Sequence, residues 1–486
     1  MPSFLTTRRL TLAAAGALAL SGAACKDPTS VPELNNIPSS VIEGNLTATT
    51  TRLLTLGLIN RDRDIASFRY IVFAETLARD VYNIDPSESR FITQLLGNVI
   101  DPAGFIGQSG GYTEAFNAVR AADLLISKIG TASDLTAEQQ SGVKGIAYTF
   151  KALALYRALE LRGTYGIPVV NVDPGVSGAA LVSGAPIKCE ASALATISAT
   201  LDTGATALAS AGTSFLSGLL PAGFTSNGNF NTPAAFLQFN RGLKGRAEFY
   251  RGLRTGDATA FTNAITALNA SFLDTTAPTT NGVYFTFASA PDTFNPLAVP
   301  TIALNPTITT AAAGAGAFGQ SQVLQAGDAR GAAKVAVGAT RTRSGVTTNL
   351  FSPIATATPS NLVRPIPLLR NAELILLRAQ AEIELGQFQA ATDDMNVVRV
   401  KEGGLAPYAL TTDKATAIQR VLYEKRFSLL LEGAQRLVDL RTYGLLNTAN
   451  LGASPRAADV YNQQLPTPQF ELDQRQQTLT QAVCTN

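Results

Sequence analysis

The 486-residue chain carries 38 basic and 36 acidic side chains, a formal net charge of +2, so it shows no excess of the kind a nucleic-acid partner selects. It contains no His and three Cys, Cys25, Cys189 and Cys484. This inventory excludes Ser-His-Asp or Cys-His catalysis, His-ligated zinc and a thiolate cluster built from local spacing.

The N-terminus reads as an export signal over residues 1–24. Arg8 and Arg9 precede the apolar run LTLAAAGALAL, which is too short to span a bilayer as a helix. SGAAC then places small residues before Cys25, the arrangement that lipoprotein processing uses, although Gly22 stands where a Leu is usual. Cys25 is therefore the expected lipidation site, with a plain secretory signal as the alternative. Residues 25–40 form a polar, Pro-containing tether.

From residue 41 the chain reads as one mainly α-helical domain reaching residue 486. SFRYIVFAETLARDVYNI and YTEAFNAVRAADLLISKIG have apolar residues at three- and four-residue spacing, separated by the Gly-rich loop LGNVIDPAGFIGQSGGY. Next comes a long helix that Asp134 or Thr136 can cap and that Gly163, Gly166 and Pro168 close. Residues 190–210 and 236–272 are again helical. Residues 274–361, rich in Thr, Ala, Pro and Gly, read as an irregular insert with a few short strands such as VYFTF.

Helices return after the insert. In LGQFQAATDDM, Gly386, Phe388, Ala391 and Met395 occupy the offsets of a tetratricopeptide turn and second helix; residues 245–268 repeat the pattern loosely around Gly256. Residues 423–441 then predict a single helix with Phe427, Leu430, Leu431, Ala434, Leu437 and Val438 on one face. On it, Glu432, Arg436 and Asp439 are spaced to pair along the surface. Glu424 and Glu432 would lie about 12 Å apart along such a helix, whereas glycosidase carboxylates stand roughly 5–9.5 Å apart. The charges are expected to serve the fold.

This last stretch, YEKRFSLLLEGAQRLVDLRTYG, resembles the C-terminal signature of SusD/RagB-type outer-membrane nutrient-binding lipoproteins. Glu424, Arg426, Glu432, Gly433, Arg436, Asp439, Leu440 and Arg441 match it, while Ser428 replaces a common Glu. The gap from Glu432 to Asp439 is one residue longer than usual, which points to a bulge near the carboxyl end of the helix. Three further segments agree in order. RNAELILLRAQAEIELG contributes Glu373, Arg378, Ala379 and Glu382, and the long helix ends in Tyr165, Gly166, Ile167 and Pro168. YTEAFNAVRAAD has Tyr112 and Asp123 in place of the common Trp and Asn.

The resemblance implies tetratricopeptide-like helix pairs in a superhelical scaffold, with loops building a ligand surface. It also implies a lipid-anchored protein at the outer membrane, partnered with a SusC-like TonB-dependent β-barrel transporter, that captures a nutrient, often an oligosaccharide, and is not an enzyme. No cofactor or metal ion is expected. The competing readings are a secreted tetratricopeptide-type adaptor for other proteins and a carboxylate-dependent glycosidase.

With no Trp in the chain, Tyr and Phe would have to stack against any sugar ring, so both glycan and peptide ligands stay open. Because binding residues concentrate in loops on rigid scaffolds, the candidates are Tyr82, Asn83, Arg90, Phe105, Gln108 and Tyr112, with Tyr284, Phe285 and Phe294 from the insert. Packing under a long loop is the alternative role for each aromatic. Cys189 and Cys484 form an even pair in an exported chain and are expected to bond.

Overall fold

The computed structural model describes residues 44–66, 68–169, 185–290, 292–480 and 484–486. The chain divides into two compact units, Met1–Leu46 and Thr47–Asn486. The signal segment, Cys25 and the tether lie outside the described residues.

The second unit is mainly helical. Its longer helices are α1 (Ala48–Ile65), α2 (Phe68–Leu77), α3 (Tyr112–Lys128), α4 (Ala137–Arg162), α5 (Glu190–Ala209) and α6 (Pro233–Thr255). They continue with α7 (Ala258–Asn269), α8 (Asn371–Glu384), α9 (Phe388–Lys401), α10 (Lys414–Ser428) and α11 (Gln435–Thr442). From α3 to α10 each helix packs against the next, and α8 also meets α10.

Local chemistry sets these boundaries. Thr136 and Gln139 cap α4 reciprocally, each side chain accepting the other's backbone N–H at 3.2 and 3.1 Å. Asp134, the other capping candidate, instead accepts the Ala48 N–H at the start of α1. Between α6 and α7 the chain reverses in two residues: Gly256 takes φ +68° and Asp257 accepts the Thr259 N–H at 2.8 Å. Gly386 takes φ +74° between α8 and α9. A Cβ added at Gly245 would stand 2.5 Å from Leu268 Cγ, so a glycine there lets α6 and α7 close on each other.

The insert is more ordered than expected. Antiparallel strands β1 (Val81–Asn83), β5 (Ile302–Leu304), β6 (Ala336–Arg343) and β7 (Val346–Phe351) form a sheet in the order β1-β5-β7-β6. β6 and β7 are a hairpin turning at Ser344 and Gly345, both at positive φ. Two further strand pairs join β2 (Ile167–Pro168) to β3 (Ile187–Lys188), and β4 (Gly282–Phe285) to β8 (Ile366–Arg370).

The single helix expected over residues 423–441 is two helices. α10 ends at Ser428, Leu431 takes φ +63°, and α11 starts at Gln435. The break carries the Leu431 N–H to Glu75 Oε1 at 3.0 Å. The apolar residues predicted to share one face are all buried, but they divide between two helices and the turn joining them.

Cys189 and Cys484 form a disulfide with Cα atoms 4.8 Å apart. Beside it, Cys189 N–H donates to Thr485 O at 2.9 Å and Thr485 N–H to Ile187 O at 2.8 Å. The end of the chain is thereby laid along β3.

Candidate functional site

The charges of residues 423–441 act at a distance rather than along one helix. Arg330 and Arg399 hold Glu424 at 2.7 and 3.0 Å, and Tyr408 donates to it at 2.9 Å. Glu432 accepts from Arg370 Nε at 2.6 Å, and Asp439 pairs with Lys425 at 2.5 Å. Arg441 reaches Glu190 at 3.1 Å and the Glu160 carbonyl at 2.8 Å. The pairings expected along one helix between Glu432, Arg436 and Asp439 are therefore replaced by pairings to other elements. Glu424, held between Arg330 and Arg399, and Glu432, held between Arg370 and Lys334, serve the fold.

One pair of these anchors shapes a cleft. Asp80, at the turn between α2 and β1, accepts from Arg426 Nε at 2.9 Å and lies 3.0 Å from Arg436 Nε. Arg426 also donates to the carbonyls of Gln322 at 2.5 Å and Thr307 at 3.2 Å. The same side chain thus ties two segments of the insert to the helical scaffold. Asn305 N–H donates to Asp80 O at 2.8 Å, and Thr307 Oγ1 to Arg79 O at 3.0 Å.

These segments enclose a cleft of about 360 Å³. Arg79 and Tyr82 line it from the α2–β1 corner, residues 305–313 with Gln322 from the insert, and residues 451–461 from the C-terminal loop. Tyr461 lays its ring against the Arg79 guanidinium, centroid to Cζ 4.6 Å, while its hydroxyl donates to Gly452 O at 2.8 Å. Burial pushes the Tyr82 phenol up to about 12, so both tyrosines present neutral rings and hydroxyls. The remaining wall is small: Ala311, Ala312, Ala313, Gly319 and Ala453 leave the space open.

Of the residues predicted from sequence, Tyr82 lines this cleft. Asn83 is buried in β1. Phe105 and Gln108 lie on the Gly-rich loop, and Arg90, at the start of the short helix Arg90–Thr93, reaches it: Arg90 Cζ stands 4.4 Å from the Phe105 ring centre, and Gln108 donates to Ala103 O at 2.5 Å. Tyr112 is buried at the start of α3 against Arg162 and Phe470. Tyr284 and Phe285 are buried in β4, where the Tyr284 hydroxyl donates to Thr280 O at 2.6 Å. Phe294 is exposed.

The cleft residues absent from that expectation are Arg79, Asn305, Gln322 and Tyr461. Arg79 sits inside a run with helical periodicity, and Tyr461 stands some 380 residues downstream, so no local pattern joins them. Among the described residues no cluster of three His, Cys, Asp or Glu side chains could hold a metal ion, and no helix is long and apolar enough to cross a membrane.

Solved structures share this architecture. A SusD superfamily protein from Bacteroides fragilis NCTC 9343 is similar over 88% of this chain and 97% of its own, with TM-score 0.63 at 15% identity. Another from Bacteroides thetaiotaomicron VPI-5482 covers 88% and 98% with TM-score 0.63 at 14% identity. B. fragilis NanU covers 90% and 97% with TM-score 0.59 at 15% identity. At these identities the likeness is one of fold, and the fold is SusD-like. Residues 327–485, which include both halves of the broken helix, match the model of the SusD family. Fold and C-terminal sequence agree: the chain has a SusD-like fold, and its residues 327–485 resemble the SusD family. No curated protein matches the sequence.

Proposed function

We propose that the protein is a nutrient-binding surface lipoprotein, anchored through Cys25 at the outer membrane, that passes its ligand to a SusC-like TonB-dependent β-barrel transporter. The observation that carries this reading is the cleft of about 360 Å³ between the helical scaffold and the insert. Its walls combine aromatic rings, backbone of irregular segments and a few polar groups, the composition that small-ligand sites share. The volume suits one or two sugar or amino-acid units, so a longer oligosaccharide would place only an end there. Tyr82, Tyr461 and Asn305 are proposed as ligand contacts. The exposed Arg90 and Gln108 with the half-buried Phe105, together with Phe294, supply further contacts for a longer chain.

Two readouts test the proposal. Affinity-tagged full-length protein, recovered from detergent-solubilised native membranes, should bring down a large β-barrel transporter. Calorimetry against a panel of sugars and short peptides should find a ligand whose binding is lost in Thr310→Trp, which fills the cleft from an exposed wall position. Recovery of soluble protein partners alone, with no binding in the panel, would favour the adaptor reading.

A further inference from the structure

The lining of the cleft is chemically one-sided. Three guanidinium groups, those of Arg79, Arg426 and Arg436, border it, and among the described residues no carboxylate does. Arg426 and Arg436 are answered from behind by Asp80 at 2.6 and 3.0 Å. Arg79 has no carboxylate within ion-pair distance among the described residues, and the nearby Asp459 and Tyr461 support its charge only from further off. The Arg79 Nη2 donates to Val460 O at 2.8 Å, while Nε and Nη1 are buried without a well-formed hydrogen bond among the described residues. The direct contacts of the neighbouring Asp459 are to Ser454 at 2.5 Å and Arg456 at 3.4 Å, while its charge is also felt at Arg79. A buried donor left unpaired costs free energy, and an unpaired charge costs more.

A second penalty falls on the same residue. Arg79 N–H donates to Thr76 O and Asp80 N–H to Glu75 O, the paired bonds of a helix end whose left-handed position is usually glycine. Here Arg79 takes φ +65°, which disfavours any residue with a Cβ. The chain keeps an arginine where backbone geometry favours glycine and where part of its guanidinium has no well-formed hydrogen bond among the described residues. Strain of this kind collects at binding sites.

We infer that the cleft takes a small ligand bearing a carboxylate, which pairs with the guanidinium of Arg79. This deepens the proposed nutrient-binding role and rests on it. Tyr461 covers one face of the guanidinium, and Arg79 lines the cleft; a carboxylate is the planar acceptor that a guanidinium edge matches. Acidic sugars and the C-terminal carboxylates of short peptides share this chemistry. Both fit a site near the lower end of the roughly 300–1,000 Å³ that ligand pockets occupy.

The test is calorimetry on the full chain with two matched sets: glucuronate and galacturonate against glucose and galactose, and Ala-Ala against its amide. The inference expects at least one carboxylate probe to bind, with its neutral counterpart at least tenfold weaker. Arg79→Gln should lose at least tenfold for that probe and bring its affinity down to that of the neutral counterpart. Which set binds distinguishes acidic sugar from peptide. If Arg79→Gln fails to fold, the wild-type comparison within each matched set decides alone. Neutral probes that bind as tightly as the carboxylates, carboxylate affinity unchanged in Arg79→Gln, or no carboxylate binding at millimolar concentration would overturn the inference. In the first two cases, loss of binding in Thr310→Trp preserves the cleft as the ligand site, whereas binding unaffected by that variant removes the site as well.

Discussion

Replacing Asp80 by Asn keeps the shape of the side chain and removes the anion between two buried arginines. Asp80, Arg426 and Arg436 are 1, 4 and 9% exposed, so solvent cannot screen what is left behind. Removing one partner of a buried pair costs about 3–5 kcal/mol. Glu75 limits the loss. Its carboxyl is held well above the usual range first by burial and then by the adjacent Asp80 charge, so removing that charge eases its ionisation towards Arg436 while the burial cost stays. The expected loss for Asp80→Asn is therefore about 3 kcal/mol, and Glu75→Gln added to it should deepen the loss beyond the sum of the two single changes. For a unit of about 440 residues, at roughly 2 cal/mol/K of unfolding entropy per residue, that is a fall in Tm of about 3 °C. Scanning calorimetry with urea titration measures both quantities. A loss below about 0.5 kcal/mol, or strictly additive effects of the two changes, would refute the claim that these charges hold the scaffold together.

Glu402 tests the same principle through pH. Burial alone would raise its pKa, but Arg370 at 2.6 Å holds it at about 2 against an ordinary 4.5. Its contribution is thus fully present above about pH 4.5 and is lost as the pH falls towards 2. Glu402→Gln should cost about 2 kcal/mol at pH 7 and almost nothing near pH 2, by urea denaturation at each pH. Alkylation under denaturing, non-reducing conditions should label neither Cys189 nor Cys484. Reduction should cost less than the roughly 4–5 kcal/mol of the loop-entropy model, because Cys484 is almost terminal, and two labelled thiols without reductant would exclude the bond. Mass spectrometry of the native N-terminus should find acylated Cys25, since stable anchoring needs more than one chain; an unmodified Cys25 would remove the anchor.

The helical scaffold was legible in the sequence because its determinants are local. Thr136 with Gln139, Asp257 after Gly256, and Gly386 before Phe388 each specify a helix end within a few residues. The break at Leu431 was not legible as two helices, because Leu429, Leu430 and Leu431 continue the apolar run. What breaks the helix is remote: the Leu431 N–H is drawn to Glu75, more than 350 residues away in sequence. The β6–β7 hairpin left a readable trace, Ser344-Gly345 followed by alternating burial along β7, which the Thr- and Ala-rich composition around it obscured. The cleft was the least legible part. Its residues come from the end of α2, from the insert and from the C-terminal loop, and only the tertiary arrangement shows that Arg79 has no carboxylate at ion-pair distance among the described residues. Tyr284 and Phe285, chosen as insert aromatics, are buried instead in the β4–β8 pair.

The central claim is that the cleft between scaffold and insert receives the nutrient. A crystal structure of the protein with the tightest-binding compound from the calorimetric panel tests it most directly. The account predicts ligand density between Tyr82 and Tyr461, in contact with Arg79. Density confined to the Gly-rich loop around Phe105, with the cleft empty, would contradict it.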